Sequence, residues 1–420
     1  MKPALSLHAH LARAANEWPN RTALIAGDRI WTFAELAALA ASQAAKASRT
    51  EPWTVSAPSV ELALKAYACS AAGQAFFPLA PERQPPALDE LPPDVALIIS
   101  TSGSEGRPRA VLLGSAQLDA AATESNAALD LRAGDCWLNC LPLYHIGGQS
   151  ILWRCARTGA TVLLHEGFSI DDIARDLAAH NVTHLSLVPA MLARLLDGDI
   201  PPPPTLRAVL IGGAALSRPL YERATAAGWP LFVSYGMSET AAMVAVFKPN
   251  DGAWHEGLVG HVLPHHELCI GTDGRIRIRG PQVMAGYLGG GGPDADGWLT
   301  TSDLGEINAD GHLTVLGRAD DMLISGGRNV HPQEIESCLA GCPGVVDIAV
   351  TGAPDPVWGD LVVALVVGPV EDEVLLAHAR QGLPSAALPR HIRHLERLPR
   401  NAAGKLERSV LRRLAAEPRP

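Results

Sequence analysis

Thr161-Val-Leu-Leu164, Ser169-Ile-Asp-Asp-Ile-Ala-Arg-Asp-Leu177 and His184-Leu-Ser-Leu-Val188, met in that order along the chain, decide the fold. The first and third runs are short, apolar and bounded by turn residues, as buried strands are. The second opens on a serine suited to an N-cap and follows it with two early carboxylates, which marks a helix start. Strand, helix and strand in succession are βαβ punctuation. They predict an α/β architecture with a largely parallel sheet. Working outward, Val95-Ala-Leu-Ile-Ile99 and Leu206-Arg-Ala-Val-Leu-Ile211 read as further strands, and Pro201-Pro-Pro-Pro204 as a stiff connector. After Gly280 the texture changes, through the loop Gly289-Gly-Gly-Gly292 to alternating segments such as His312-Leu-Thr-Val-Leu316. The C-terminal stretch reads as a separate α+β unit. It has a helix from Pro332, strands near Val345 to Val350 and Leu361 to Val367, and a terminal helix from Glu407. This divides the chain into a large domain of βαβ subdomains, residues 1–317, and a smaller, mobile domain, residues 318–420.

At 420 residues, 47% hydrophobic and 19% charged, the chain can bury a large core and form about two or three domains. A formal charge of −10 and no basic cluster exclude a nucleic-acid partner and leave a small or protein ligand. No apolar run approaches the eighteen or so residues needed for a membrane span, and the start lacks a basic segment followed by an apolar one. A cytoplasmic location follows. The seven cysteines are odd in number and scattered, which suits reduced thiols, and the two C-x3-C pairs lack zinc-site partners.

Four local patterns could carry chemistry. Ser100-Thr-Ser-Gly-Ser-Glu-Gly-Arg-Pro-Arg109 follows a predicted strand; its small residues let backbone N–H groups approach a polyphosphate, and its arginines supply charge. Tyr235-Gly-Met-Ser-Glu-Thr240 offers an aromatic face for a base, a hydroxyl for a phosphate in Ser238 and a carboxylate for Mg²⁺ in Glu239. Thr301-Ser-Asp303 places a lone carboxylate where it could accept two ribose hydroxyls, and Gly317 to Val330 has the glycine and charge of a hinge or of any linker. Each alone also reads as an ordinary loop. The last signal is Lys405. The chain has five lysines against twenty-nine arginines, and after Lys248 the only one lies in Pro399-Arg-Asn-Ala-Ala-Gly-Lys405. A compact ammonium on a flexible stem meets reacting oxygens in ways a guanidinium fork cannot.

In order and spacing these motifs resemble the adenylate-forming superfamily of acyl-CoA synthetases, luciferases and nonribosomal adenylation domains, from about residue 20 to the end. The resemblance implies a two-step reaction using ATP, Mg²⁺ and coenzyme A. A carboxylic acid is first joined to AMP, and a thiol, of coenzyme A or of a carrier protein acting in trans, then displaces AMP. It assigns catalysis to Lys405, Glu239 and His145, with Glu239 also the Mg²⁺ ligand. Nucleotide binding falls to Thr101, Ser102, Gly103, Ser104, Gly106, Arg109, Gly212, Gly213, Ala214, Tyr235, Gly236, Ser238, Asp303 and Arg318. Asp320 matches the hinge. The chain departs from the pattern at Glu105 and Ser302, and at Arg109 where a lysine is usual; it is also short for the superfamily, its N-terminal part being trimmed.

For the acid, the stretch after His145 is Ile-Gly-Gly-Gln, without the aspartate that pairs an amino group in amino-acid-activating relatives, so a cationic substrate is disfavoured. Arg154 lies in the apolar Ile151-Leu-Trp-Arg-Cys-Ala156 and reads equally as a structural cation or as the partner of a substrate carboxylate. The surrounding segments look most like the branch that activates o-succinylbenzoate, a dicarboxylate of menaquinone biosynthesis. The expected activity is therefore that of an acyl- or aryl-CoA ligase. The alternatives are an adenylating enzyme that loads a carrier protein and a nucleotide-binding relative that has lost catalysis. A homo-oligomer is compatible with all three.

Overall fold

A computed structural model describes residues 4–46, 53–81, 83, 91–101, 109–401 and 404–417. Three sheets organise them. The strands expected at the decisive stretch form as Thr161–Leu164 and His184–Leu187, joined by the helix Ile170–Ala179. Ser169 caps that helix: its hydroxyl accepts the Asp172 N–H at 3.3 Å, satisfying a donor that the first turn leaves orphaned.

The largest sheet has thirteen strands, and only its middle is parallel. Leu231–Met237, Ala208–Ile211, His184–Leu187, Cys136–Asn139, Thr161–Leu164 and Thr22–Ala26 run the same way. From Ala242–Phe247 onward every added strand is antiparallel. The expectation of a largely parallel sheet is corrected there. Parallel neighbours need a crossover connection, usually a helix, and past Leu231–Met237 the strands of this sheet are linked without crossover helices. The four central parallel strands, Ala208–Ile211, His184–Leu187, Cys136–Asn139 and Thr161–Leu164, are buried throughout or nearly so, with Trp137, Leu138, Val162, Leu185, Val209 and Ile211 within a few per cent of complete burial, which explains their continuous apolar runs.

A second sheet of five strands contains Val95–Thr101 and Arg109–Gly114, the strands flanking the expected phosphate loop, and Gly286–Tyr287 pairs on the outer edge of the latter. The third sheet belongs to the C-terminal unit. The large sheet takes its last strand at His312–Arg318, and the next, Leu323–Ser325, pairs into this third sheet. Its central hairpin, Asp347–Asp355 with Gly359–Val367, is apolar on both faces. Val350 and Val366 meet the helix Pro332–Ala340 on one side, and Val363 and Leu365 meet Leu411 of the helix Arg408–Ala416 on the other. The strand expected from Val345 starts at Asp347, because the Val345 N–H donates to the Cys342 carbonyl and closes a turn, with Gly344 at φ +90°. No helix among the described residues is long and apolar enough to cross a membrane.

Candidate active site

In open sheets of this kind ligands bind beyond the carboxyl ends of the parallel strands. Three of the loops there carry expected residues: His145 after Cys136–Asn139, Gly212 to Ala214 after Ala208–Ile211, and Ser238 with Glu239 after Leu231–Met237; a fourth, after His184–Leu187, brings Val188. Gly213 has φ +80°, a conformation natural to glycine, and a methyl placed on it would lie 3.3 Å from the Lys405 Cε and 3.4 Å from Val188. The stem of the last lysine thus runs directly against the loop of the large domain. Gly404, at φ +75°, brings the C-terminal loop equally near, since a methyl there would come within 2.8 Å of the Val188 side chain. Asn401 supports this turn, accepting the Lys405 N–H on its side-chain oxygen at 3.1 Å and the Gly404 N–H on its carbonyl at 2.8 Å.

The Lys405 ammonium meets a mixed field. The protein crowded around it lowers its pKa, although solvent still reaches the side chain, while Asp303 and Glu239 pull the value back up and Arg318 opposes them. Both carboxylates expected in the site therefore act on the lysine. Asp303 is the more buried of the two. Burial raises its pKa, and the opposing influences come first from the Tyr235 hydroxyl, which donates to Oδ2 at 2.7 Å, and then from Arg318. Tyr235, expected as an adenine-stacking ring, also fixes the carboxylate expected to hold the ribose. Gly236 is obligatory beside it, because a methyl there would collide with the Ala242 carbonyl. Thr301 shapes the other side by accepting the Asp303 N–H at 3.1 Å.

Arg318 ends its strand directly opposite Asp303. Its Nη1 stands 3.8 Å from Asp303, but Nε and Nη2 donate to the two oxygens of Asp320 at 2.9 and 2.8 Å. The ribose arginine and the hinge aspartate of the expected set are thus a bidentate pair. Glu239 accepts at 2.9 Å from the hydroxyl of Tyr287, a residue the sequence reading did not single out. Arg109 lies over the same Tyr287 ring, its guanidinium carbon 3.4 Å from the centroid. Thr101 closes the strand pair by donating to the Arg109 carbonyl at 3.2 Å. Ser102, Gly103, Ser104, Glu105 and Gly106 lie outside the described residues.

Mg²⁺ takes few protein carboxylates beside substrate phosphates. Among the described residues no group of three potential metal ligands forms a closed cage, whereas Glu239 has one oxygen engaged by Tyr287 and a second with no partner in its hydrogen-bond set. That donor set fits Mg²⁺ carried in with a nucleotide.

His145 precedes the helix Ile146–Thr158, and its ring lies 4.8 Å from that of Tyr144. Burial, with the cations Lys405 and Arg83, presses its pKa down to about 4. The imidazole is therefore neutral at pH 7. The unfolded chain protonates near pH 6.5, so between pH 6.5 and 4 the unfolded state takes up the proton that the folded state refuses, and stability falls with falling pH. His145→Gln should remove up to about 3 kcal/mol of that loss while changing little above pH 7. Urea unfolding of both proteins at pH 7.5 and 4.5 checks it; parallel losses in the two would show that His145 does not titrate in this window.

Arg154 is not brought to this cluster. It lies nine residues beyond His145, about 13 Å along the same helix, and is 2% exposed. Its Nη2 donates to Ser125 at 3.2 Å, its guanidinium faces the Trp137 ring at 5.2 Å, and its Nε has no partner. Burial lowers its pKa to about 10, which leaves it charged at pH 7. Of the two readings, a structural cation or the partner of a substrate carboxylate, these contacts are of the first kind: the cation is held between a hydroxyl and an indole face.

A family model described as AMP-binding enzyme matches residues 47–288, and one described as AMP-binding enzyme C-terminal domain matches residues 334–405. The 2-succinylbenzoate–CoA ligase of Bacillus cereus is 37% identical over 339 residues, covering 76% of this chain and 70% of the ligase. Among solved structures, the O-succinylbenzoate coenzyme A synthetase of Bacillus subtilis in complex with ATP and magnesium ion matches with a TM-score of 0.85 at 30% identity, over 95% of this chain and 98% of that one. The same synthetase in complex with the acyl-adenylate intermediate OSB-AMP matches with a TM-score of 0.82 at 30% identity, over 96% and 97%.

Proposed function

Because the chain belongs to the AMP-binding enzyme family, we propose that it activates a carboxylic acid, 2-succinylbenzoate foremost, with ATP and passes the acyl group to the thiol of coenzyme A. The observation that carries this reading is Lys405, reaching across from the C-terminal unit to lie on Gly213 within the field of Asp303 and Glu239. The similarity to ligases of 2-succinylbenzoate supports the choice of acid, and seven unpaired thiols support a reducing, cytoplasmic setting.

In the first step an oxygen of the acid attacks the α-phosphorus and pyrophosphate leaves with the bonding pair. Charge shifts between the attacking and α-phosphate oxygens, and Lys405 is placed to stabilise it. Asp303, oriented by Tyr235 and Thr301, accepts the ribose hydroxyls. When bound, Mg²⁺ would be held by Glu239 and neutralise phosphate charge. In the second step the thiol sulfur attacks the acyl carbon and AMP departs. That step needs the C-terminal unit to turn about Asp320, which lies between the strands His312–Arg318 and Leu323–Ser325, and in the observed arrangement Arg318 holds Asp320.

Pyrophosphate release with a panel of carboxylic acids, with and without coenzyme A, tests the reading. Release with 2-succinylbenzoate, together with thioester formation once the thiol is added, is expected. Adenylate that forms but passes only to a carrier protein would reassign the acceptor, and no release with any acid would leave a nucleotide-binding protein. In the same assay Arg154→Met is expected to keep the ratio of dicarboxylic to monocarboxylic turnover within about twofold of wild type, since the cation sits in a helix layer. A selective loss, at the ~1.5–3 kcal/mol of a charged hydrogen bond, would restore its substrate role.

A further inference from the structure

Tyr287 takes no part in the chemistry above, yet it touches two groups that do. It lies on the strand Gly286–Tyr287, paired with the strand that starts at Arg109. Its hydroxyl donates to Glu239 Oε1 at 2.9 Å, and its ring carries the Arg109 guanidinium 3.4 Å from its centroid. The run Gly289 to Gly292, all at positive φ, turns the chain back so that the Gly291 carbonyl accepts the Tyr287 N–H at 3.0 Å. A methyl on Gly291 would lie 3.4 Å from Arg109 Nη2, so the same turn also walls the guanidinium.

We propose that Tyr287 is a positioning residue that ties the metal-binding carboxylate to the exit of the phosphate loop, its hydroxyl fixing one oxygen of Glu239 and its ring seating Arg109. The inference rests on the proposed function, in which Glu239 meets Mg²⁺ and the loop meets the triphosphate. It also gives the arginine at position 109 a reason. A planar guanidinium stacks on an aromatic face, whereas a lysine would offer a mobile point charge.

Calorimetric titration of ATP into the full-length protein, with Mg²⁺ and with a chelator, separates the parts without turnover. Wild type is expected to bind ATP more tightly with Mg²⁺, a gain that Glu239→Gln abolishes. Tyr287→Phe keeps the ring and removes one oxygen. Its Mg²⁺-free affinity should stay within about twofold of wild type while the Mg²⁺ gain shrinks about tenfold, the scale of one hydrogen bond to a charged group. Tyr287→Leu should lose Mg²⁺-free affinity as well, and Arg109→Lys should weaken Mg²⁺-free binding in wild type but not in the Tyr287→Leu background. A full Mg²⁺ gain in Tyr287→Phe beside a normal wild-type gain overturns the positioning role and leaves the functional reading intact. An equal cost of Arg109→Lys in both backgrounds overturns the seating of Arg109. Wild type with no Mg²⁺ gain overturns the functional reading, and this inference with it.

Discussion

Lys405→Ala should slow formation of the acyl-adenylate by several orders of magnitude, because loss of one pre-placed donor alone costs about 10²–10³ in rate and this one carries a full charge. The stem of the lysine lies against Gly213 and its charge within the field of Asp303 and Glu239. The thioester step should survive, since it requires the C-terminal unit to turn and carry Lys405 away. Chemically prepared acyl-adenylate, given to the variant with coenzyme A, should yield thioester near the normal rate. Lys405→Arg should fail almost as badly as alanine, because a planar fork does not fit between a glycine face and two reacting oxygens. Equal loss of both half-reactions, or a fully active arginine variant, would make Lys405 structural.

Asp303→Ala should cut kcat/KM for ATP by about 10²–10⁴, the scale of two lost hydrogen bonds to a charged acceptor at ~1.5–3 kcal/mol each. The damage should be equal for every acid accepted, because in the proposed function Asp303 meets the nucleotide and not the acid. The substitution also takes away the acceptor of the Tyr235 hydroxyl, while Arg318 keeps its pair with Asp320. Asp303→Asn keeps the shape and removes the charge, so it should recover part of the loss. Initial rates with two unrelated acids check this, and damage selective for one acid would contradict the ribose role.

Much of this site was legible in the chain because its signals are local. Ser169 announces a helix through residues three apart, and Gly404 with Lys405 stands out by the scarcity of lysine. Contacts between distant segments left no such mark. The bond from Tyr287 to Glu239 joins a strand to a turn far from it in sequence, and periodicity within either segment says nothing of it. Tyr235 and Asp303 were both recognisable as nucleotide residues, but their mutual hydrogen bond depends on two strands meeting around the cleft. Arg154 shows the opposite limit. Its apolar neighbours foretold an expensive buried cation, but whether a ligand or Ser125 and Trp137 would meet it depended on how its helix packs. The antiparallel half of the large sheet was hidden similarly, since each of its strands reads as a strand and only the absence of crossover helices tells direction.

The seam at Gly213 and Gly404 has a practical consequence for anyone redesigning the protein. Two residues without side chains set the clearance between the C-terminal turn and the loops of the large domain, so a substitution at either that the fold survives should still score as intolerant in a screen for turnover. Bulk added there would act as a wedge that holds the joint ajar. A library aimed at new acids should therefore vary the loop after His145 and keep both glycines out of the mutated set, because they fix the travel of a mechanical part and have no bearing on which acid it serves.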